Sequence, residues 1–325
     1  MKICILGGLG HIGSGLVRYL LAKYPTLQIT IIDNFSTGKY HSLFGQFHLL
    51  DRLVELDVRD DSLERYIIGQ DIVLHLAAIT KAHDFADIEY LFDHNLKSTK
   101  NVKLACEKLN VPLIFLSSTS IYEQNFGTVD EKTVSQRPKN KYALSKFYEE
   151  EVVSNYSLGL TLRLGTIHGI SPGMNFHTAV NRFCWNALNN LKIPVWEDSY
   201  DITSPYLSLR NLIKFIDQYI IVKNISHESK VLNLVSHNSS PNSIVKIIQQ
   251  FMPEVKVELI NKNNPRTKNL FVTSSNSRIK QFMNEESIGL DIEETFNLFN
   301  NRLFTWDNYY NNPALLQNIT NDSKS

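Results

Sequence analysis

Tyr142 and Lys146 stand four residues apart in Tyr142-Ala143-Leu144-Ser145-Lys146, shortly after Pro138. In a helix that spacing puts both side chains on one face, one turn apart. A phenol titrates near pH ~10 and is a poor base at neutrality. A neighbouring ammonium favours the phenolate, so the pair can take a proton from an alcohol. Upstream, the apolar run Leu113-Ile114-Phe115-Leu116 ends in Ser117-Ser118-Thr119-Ser120. One hydroxyl of that cluster is placed to hold the oxygen that Tyr142 deprotonates. An alcohol that loses a proton in this way also has a hydride to give, and needs an acceptor for it. Alone, Tyr-x-x-x-Lys is a common surface pair, so its meaning depends on whether the chain binds such an acceptor.

The first forty residues supply one. Ile3-Cys4-Ile5-Leu6 runs into Gly7-Gly8-Leu9-Gly10-His11-Ile12-Gly13, and Ile29 to Ile32 runs into Asp33. Strand, glycine-rich turn, helix, second strand and terminal carboxylate make a dinucleotide-binding βαβ unit. Gly7 and Gly10 let the chain turn and approach a pyrophosphate, while Gly13 lets helix and strand pack closely. The helix, from about Ile12 to Leu21 with His11 at its entry, aims free N–H groups and its positive end at the phosphates. Asp33 lies twenty residues after Gly13, where a carboxylate can take both adenosine ribose hydroxyls and repel a 2′-phosphate. The expected cofactor is NAD rather than NADP.

Bulk composition narrows the function classes. The chain has 325 residues, enough for one large domain or two modest ones. Its 33 Lys plus Arg balance 33 Asp plus Glu, so there is no basic field for nucleic acid or an anionic membrane. Three cysteines, Cys4, Cys106 and Cys184, are too few and too scattered for a disulfide framework or a zinc site. His83, His94, His168 and His177 show no metal-ligand spacing. The N-terminus enters the fold directly without a signal-like segment, and no apolar run reaches membrane-spanning length. A cytoplasmic location is expected, with no metal, nucleic acid or membrane partner.

Strand-like runs fall near 2–6, 29–32, 53–56, 71–77, 112–117 and 158–163, with 231–235 a later candidate. The runs at 72–77 and 113–116 are almost wholly apolar, as strands covered on both faces should be. Helical stretches lie between them, the longest from Ile88 to Leu109. Alternation of this kind predicts an α/β fold: a doubly wound parallel sheet of the Rossmann type. Residues 1–168 are assigned to that NAD-binding domain. From Gly169 six prolines break the pattern, and 169–310 is expected to form mainly a smaller C-terminal substrate-binding lobe, some segments returning to the sheet. Residues 311–325, rich in Asn, Ser and Lys, are expected to be a disordered tail.

With these motifs in order, the chain resembles the extended short-chain dehydrogenase/reductases, in particular the nucleotide-sugar epimerases and dehydratases, over about residues 1–270. The resemblance implies roles residue by residue. Asp33-Asn34-Phe35-Ser36-Thr37-Gly38 is similar to the adenosine-ribose loop, Asp57-Val58 to the adenine contact, and His75-Leu76-Ala77-Ala78 with Thr80 to the fourth-strand motif. Asn95 matches an asparagine of the long helix. The register from Phe115 to Tyr122 selects Ser118 as the catalytic hydroxyl beside Tyr142 and Lys146, and Thr119 as a neighbouring substrate contact. Arg163 to Gly169 resembles the entry to the substrate lobe, where Thr166, Asn175, Trp196 and Arg266 match substrate-binding positions. Family members often form homodimers through two helices, here 88–109 and 142–156.

Some positions depart from the pattern. Glu123 replaces a usual glycine, and Ser204 stands where an arginine often clamps the pyrophosphate, leaving Arg266 to carry that role. Thr119-Ser120 replaces the Asp-Glu pair that 4,6-dehydratases use to expel water, so dehydration is not expected. What remains is an NAD-dependent enzyme that oxidises C4 of a nucleotide-activated sugar through a 4-keto intermediate. Epimerase is the leading expectation and a 4-dehydrogenase or keto-reductase the alternative. A non-catalytic NAD-binding sensor would have no need of Ser118, Tyr142 and Lys146 together.

Overall fold

The computed structural model describes residues 1–44, 50–80, 88–221, 230–261, 268–283 and 287–300. In the first half, strands β1 (Lys2–Leu6), β2 (Gln28–Asp33), β3 (Arg52–Glu55), β4 (Ile72–His75) and β5 (Leu113–Ser118) alternate with helices α1 (His11–Lys23), the short α2 (Glu64–Ile67) and α3 (Ile88–Leu109). A three-residue strand, β6 (Gly127–Val129), precedes α4 (Lys141–Ser154) and β7 (Gly159–Leu164). Beyond it come β8 (Thr166–His168), α5 (Ala179–Leu188), β9 (Ile193–Trp196), β10 (Ser204–Ser208) and α6 (Leu209–Ile216). The chain continues through β11 (Val231–Leu234), β12 (His237–Ser239), α7 (Pro241–Phe251), β13 (Val257–Ile260), β14 (Leu270–Val272), α8 (Ser277–Lys280) and α9 (Ser287–Asn300).

Seven strands form one parallel sheet in the order β3-β2-β1-β4-β5-β7-β11. Each apolar run read from the sequence is one of these strands. Continuous hydrophobicity follows from cover on both faces. On β1, Ile3 and Ile5 join a core with Leu16, Val17 and Leu20 of α1 and Leu212 and Phe215 of α6. Cys4 and Leu6 point the other way, to Val102, Ala105 and Cys106 of α3. Chain order reverses between β1 and β4, which opens a crevice at the carboxyl ends of the strands.

The region after Gly169 builds a separate core from α5, α7, α9 and β9, with Tyr206 of β10. Its strands form a small three-stranded sheet, β8-β10-β12, and a pair, β9-β13, while β11 leaves the region to close the edge of the main sheet. All three cysteines are buried and free. Among the described residues no helix is long and apolar enough to cross a membrane, and no group of three His, Cys, Asp or Glu could hold a metal ion. Residues 311–325, expected as a tail, lie outside the described residues.

Candidate active site

The glycine turn is built so that backbone alone can approach a ligand. Gly7 has φ +80°, and a Cβ there would lie 2.7 Å from the Ala77 nitrogen at the end of β4. A Cβ on Gly13 would lie 2.6 Å from the Gly7 oxygen, so helix and turn are in direct backbone contact. Gly10 caps α1 with no side-chain acceptor, and the first turn carries no acid, which leaves the helix N-terminus open to an anion. His11 is buried and spends one ring nitrogen on the Gly169 oxygen at 2.8 Å. Burial pushes its pKa down to about 4, so the neutral ring donates that bond through Nε2. Ile12 packs against the sheet core.

Asp33 ends β2 with Oδ2 accepting from the Leu9 N–H and Oδ1 from the Phe35 N–H, each at 3.0 Å. Burial raises its pKa and these two donors oppose that. Beyond it, Asn34 Oδ1 accepts from Ser36 N and Oγ, and Thr37 and Gly38 are exposed. Phe35 holds φ +53°, an unusual conformation for a bulky residue, at the point where the loop turns back. Asp57 is gripped by Arg59 through Nε and Nη2 at 2.9 Å each, which holds its carboxyl well below the usual range. Val58 is core. Leu76, Ala77 and Ala78 are half-buried, Thr80 is exposed, and Asn95 clamps the Ile79 backbone from both sides at 2.8 and 3.0 Å. A backbone cradle, an open helix N-terminus and a carboxylate beside it are a donor set that fits a dinucleotide.

The second group of residues gathers one strand further on, at the ends of β5 and the start of α4. Asn140 caps α4 by accepting from Tyr142 N at 2.9 Å and Ala143 N at 3.3 Å. Glu123, the residue that replaces a glycine, accepts from Asn140 N at 2.7 Å and from Lys139 N. It thereby ties the entry of α4 to the end of the β5 segment. The outcome is that Tyr142 stands near Ser118. Burial raises the Tyr142 pKa, while Lys146 and Ser118 lower it. Lys146 is itself buried, with Nζ 4.7 Å from the Phe115 ring centroid and 3.1 Å from Glu149 Oε2.

The hydroxyl cluster alternates in its commitments. Ser117 donates to Glu150, and Thr119 donates to the Leu164 oxygen at 3.1 Å. Ser118 meets Tyr142, and the buried Ser120 Oγ has no protein partner. Thr119, expected as a substrate contact, is buried and turned toward β7, and the Ser120 N–H donates to Ser118 Oγ at 3.1 Å. β5 ends at Ser118, which caps a short 3-10 turn over Thr119–Tyr122, and residue type alone does not reveal this break.

The other substrate candidates are placed unequally. Thr166 is half-buried on β8 beside Tyr206 of β10. Asn175 turns its Oδ1 onto His177 N at 2.9 Å, the bond of a local turn. Trp196 is half-buried at the end of β9. Arg266 lies outside the described residues.

Thr99 and Glu149 were not singled out by the sequence. His75 bonds Thr99 of α3 at 3.1 Å, and Thr99 donates to Glu149 Oε2 at 2.8 Å. The signal was available: Tyr142, Lys146 and Glu149 follow the inward stripe of one helix at i, i+4 and i+7. A segment after β8 also reaches the glycine turn. Gly173 N donates to Ser14 Oγ at 2.8 Å, and Lys39 Nζ donates to the Gly173 oxygen at 2.7 Å.

Comparison with known proteins bears on the family and the fold. UDP-glucose 4-epimerase of Mycoplasma pneumoniae is 30% identical over 195 residues, 54% of this chain and 56% of that protein. The chain thus spans about half the length of the curated relatives it matches. The structure of UDP-N-acetylglucosamine 4-epimerase from Methanobrevibacter ruminantium, in complex with UDP-N-acetylmuramic acid, superimposes with TM-score 0.79 at 23% identity, covering 93% of this chain and 99% of that one. The dTDP-glucose 4,6-dehydratase of Bacillus anthracis, in complex with NAD, superimposes with TM-score 0.75 at 18% identity, covering 93% and 97%. Likeness at these identities speaks to the fold, which serves both reactions. The profile of the NAD-dependent epimerase/dehydratase family matches residues 3–216, more than half of the sequence, and the chain belongs to that family.

Proposed function

We propose that the protein is an NAD-dependent epimerase acting at C4 of a nucleotide-activated sugar. The observation that carries this reading is that Tyr142 stands near Ser118 with Lys146 one helical turn away, at the edge of the sheet where the dinucleotide cradle lies. Bound NAD supplies a reversible hydride acceptor. Gly7, Gly10, Gly13 and the N-terminus of α1 would hold its pyrophosphate, and Asp33 its adenosine ribose. Asn34, Ser36, Thr37, Gly38, Asp57, Val58, Leu76, Ala77, Ala78, Thr80 and Asn95 line the same cradle.

Ser118 Oγ holds the C4 oxygen, and Tyr142 takes its proton as C4 becomes a ketone. Lys146 favours the phenolate that this step needs. When the ketone is reduced on its other face, Tyr142 returns the proton and the C4 configuration is inverted. The residues after Ser118 support epimerisation over dehydration, because Thr119 and Ser120 offer no carboxyl group for removing water. Retention of the cofactor is supported by the segment at Gly173, which lies on the glycine turn and is bonded to Ser14 and Lys39. A protein that keeps its NAD can regenerate it in place, whereas a dehydrogenase must exchange it. Residues 169–310, apart from the returning β11, are proposed as the substrate lobe. Pairing of α3 and α4 with a second copy is the proposed dimer contact, which light scattering can check.

The test is NMR of UDP-, GDP-, dTDP- and CDP-linked hexoses after incubation with purified protein and no added cofactor. A C4-inverted sugar is expected with one of them. A 4-keto sugar formed only in the amount of enzyme would instead mean a dehydrogenase. Tyr142→Phe is expected to abolish turnover while NAD stays bound. Turnover by that variant would overturn the mechanism.

A further inference from the structure

We propose that Glu149 is the resident counter-ion of Lys146, and that this buried pair sets how readily Tyr142 gives up its proton. Glu149 would be a positioning residue, acting on the reaction through Lys146. The inference rests on the reading of Tyr142 as the base. Nζ of Lys146 lies 3.1 Å from Glu149 Oε2, and the two side chains are 3% and 1% exposed. Carboxylates are rarely buried without a specific partner, since burial removes their hydration. Here Oε2 accepts from two donors at once, Lys146 and the Thr99 hydroxyl at 2.8 Å. Thr99 has one proton and gives it to Glu149, so its oxygen accepts from His75 Nε2 at 3.1 Å. That fixes the His75 tautomer with hydrogen on Nε2, and burial keeps the ring neutral. A directed chain, His75 to Thr99 to Glu149, ends on the ammonium beside the base.

The electrical consequence follows from the geometry. An unpaired ammonium one turn from Tyr142 would act on the phenol as a full positive charge. With a carboxylate 3.1 Å behind it, the same ammonium acts as one end of a dipole, and its pull on the phenolic proton is partly cancelled. The opposed influences of Lys146 and Glu149 on Tyr142 run in these directions. The groups facing this cluster come from four elements. They are Tyr142, Lys146 and Glu149 of α4, His75 of β4, His94 and Thr99 of α3, and Ser118 with Phe115 of β5. Glu150 is turned away to Arg163 and does not share the task.

The test uses holoenzyme labelled with 13C at tyrosine Cζ, with the Tyr142 resonance assigned by its loss in Tyr142→Phe. In Glu149→Gln the Tyr142 titration is expected to move to lower pH, and the acid limb of kcat for the sugar nucleotide should move with it. Glu149→Asp, which keeps the charge, should return both toward wild type. A merely structural role would not move a phenol titration. If Glu149→Gln folds poorly, Thr99→Val combined with Glu149→Leu replaces the polar pair by apolar groups and carries the same test. Should Tyr142→Phe still turn over, the reading of the base is wrong. Should it be inert while the Tyr142 titration and acid limb stay where they were, the role of Glu149 alone is refuted.

Discussion

Gly173→Ala is the substitution that most directly tests whether the segment after β8 seats on the glycine turn. A Cβ at this position would lie 2.7 Å from the Gly10 oxygen and 2.8 Å from Ser14 Oγ, and closer still to the Leu9 oxygen. Two of those neighbours are backbone atoms of the turn itself and cannot swing away. The segment must therefore lift, which loses the Gly173 N–Ser14 bond and the Lys39–Gly173 bond. Overpacking of this kind costs roughly 1–3 kcal/mol, and each hydrogen bond lost adds roughly 0.5–1.5 kcal/mol. If all of the strain is borne by the whole fold, Tm should fall by about 1.5 °C per kcal/mol for a chain of this size. If it is relieved by lifting alone, NAD should leave about tenfold faster for every ~1.4 kcal/mol of seating lost. The assay measures Tm together with the rate at which copurified NAD is released into a scavenging buffer. Wild-type values for both would refute the seating. A fall in Tm with unchanged release would refute its part in keeping the cofactor.

Other perturbations probe the scaffold around the base. Glu150→Ala leaves Arg163 without the carboxylate that now meets Nε and Nη2 at 2.7–3.1 Å. Loss of one member of such a largely buried pair should cost roughly 3–5 kcal/mol in urea unfolding, and Glu150→Ala with Arg163→Leu should lose less than Glu150→Ala alone. Low pH should destabilise the fold through its buried imidazoles. His75 has its pKa lowered from 6.5 to about 3 by burial and by Lys146, so the folded protein keeps it neutral while the unfolded chain protonates it. Its contribution is complete above about pH 6.5 and is lost as pH falls from there toward 3, amounting to roughly 2 kcal/mol by pH 5. His75→Gln should therefore flatten the decline of the urea midpoint between pH 7 and pH 5. An equal decline in that variant would show that other groups carry the acid sensitivity.

The main sheet was legible because its strands are covered on both faces, which leaves a continuous apolar run in the sequence. Each run from 2–6 to 231–235 is a strand of it. The outer strands left no such trace. β6, β8 and β14 are three residues long, and β10 carries Ser204 and Pro205, so periodicity has too little length to register. The same distinction governs the site. Features set by spacing along one element, such as the glycine turn, Asp33 after β2, and Tyr142 with Lys146, can be read directly. Features that need two elements to meet cannot. The acids at 149–151 look like a solvated helix face until α3 supplies Thr99 and β7 supplies Arg163.

The hydroxyl cluster shows how that limit bears on function. Four consecutive hydroxyls span the end of β5 and the turn after it, and type alone makes them equivalent. The fold divides them, with Ser117 and Thr119 bonded into the scaffold, Ser118 on the side of Tyr142, and Ser120 Oγ without a protein partner. Because the fold is shared by epimerases and dehydratases, the reaction must be decided by what stands on that side. A hydroxyl at Ser120 can hold a sugar oxygen, but its high pKa makes it a poor acid or base for expelling water across C5–C6. Residues 119 and 120 thus offer no carboxyl group for dehydration, while the proposed proton transfer needs only Tyr142 beside Ser118, which α4 and the strand end bring together.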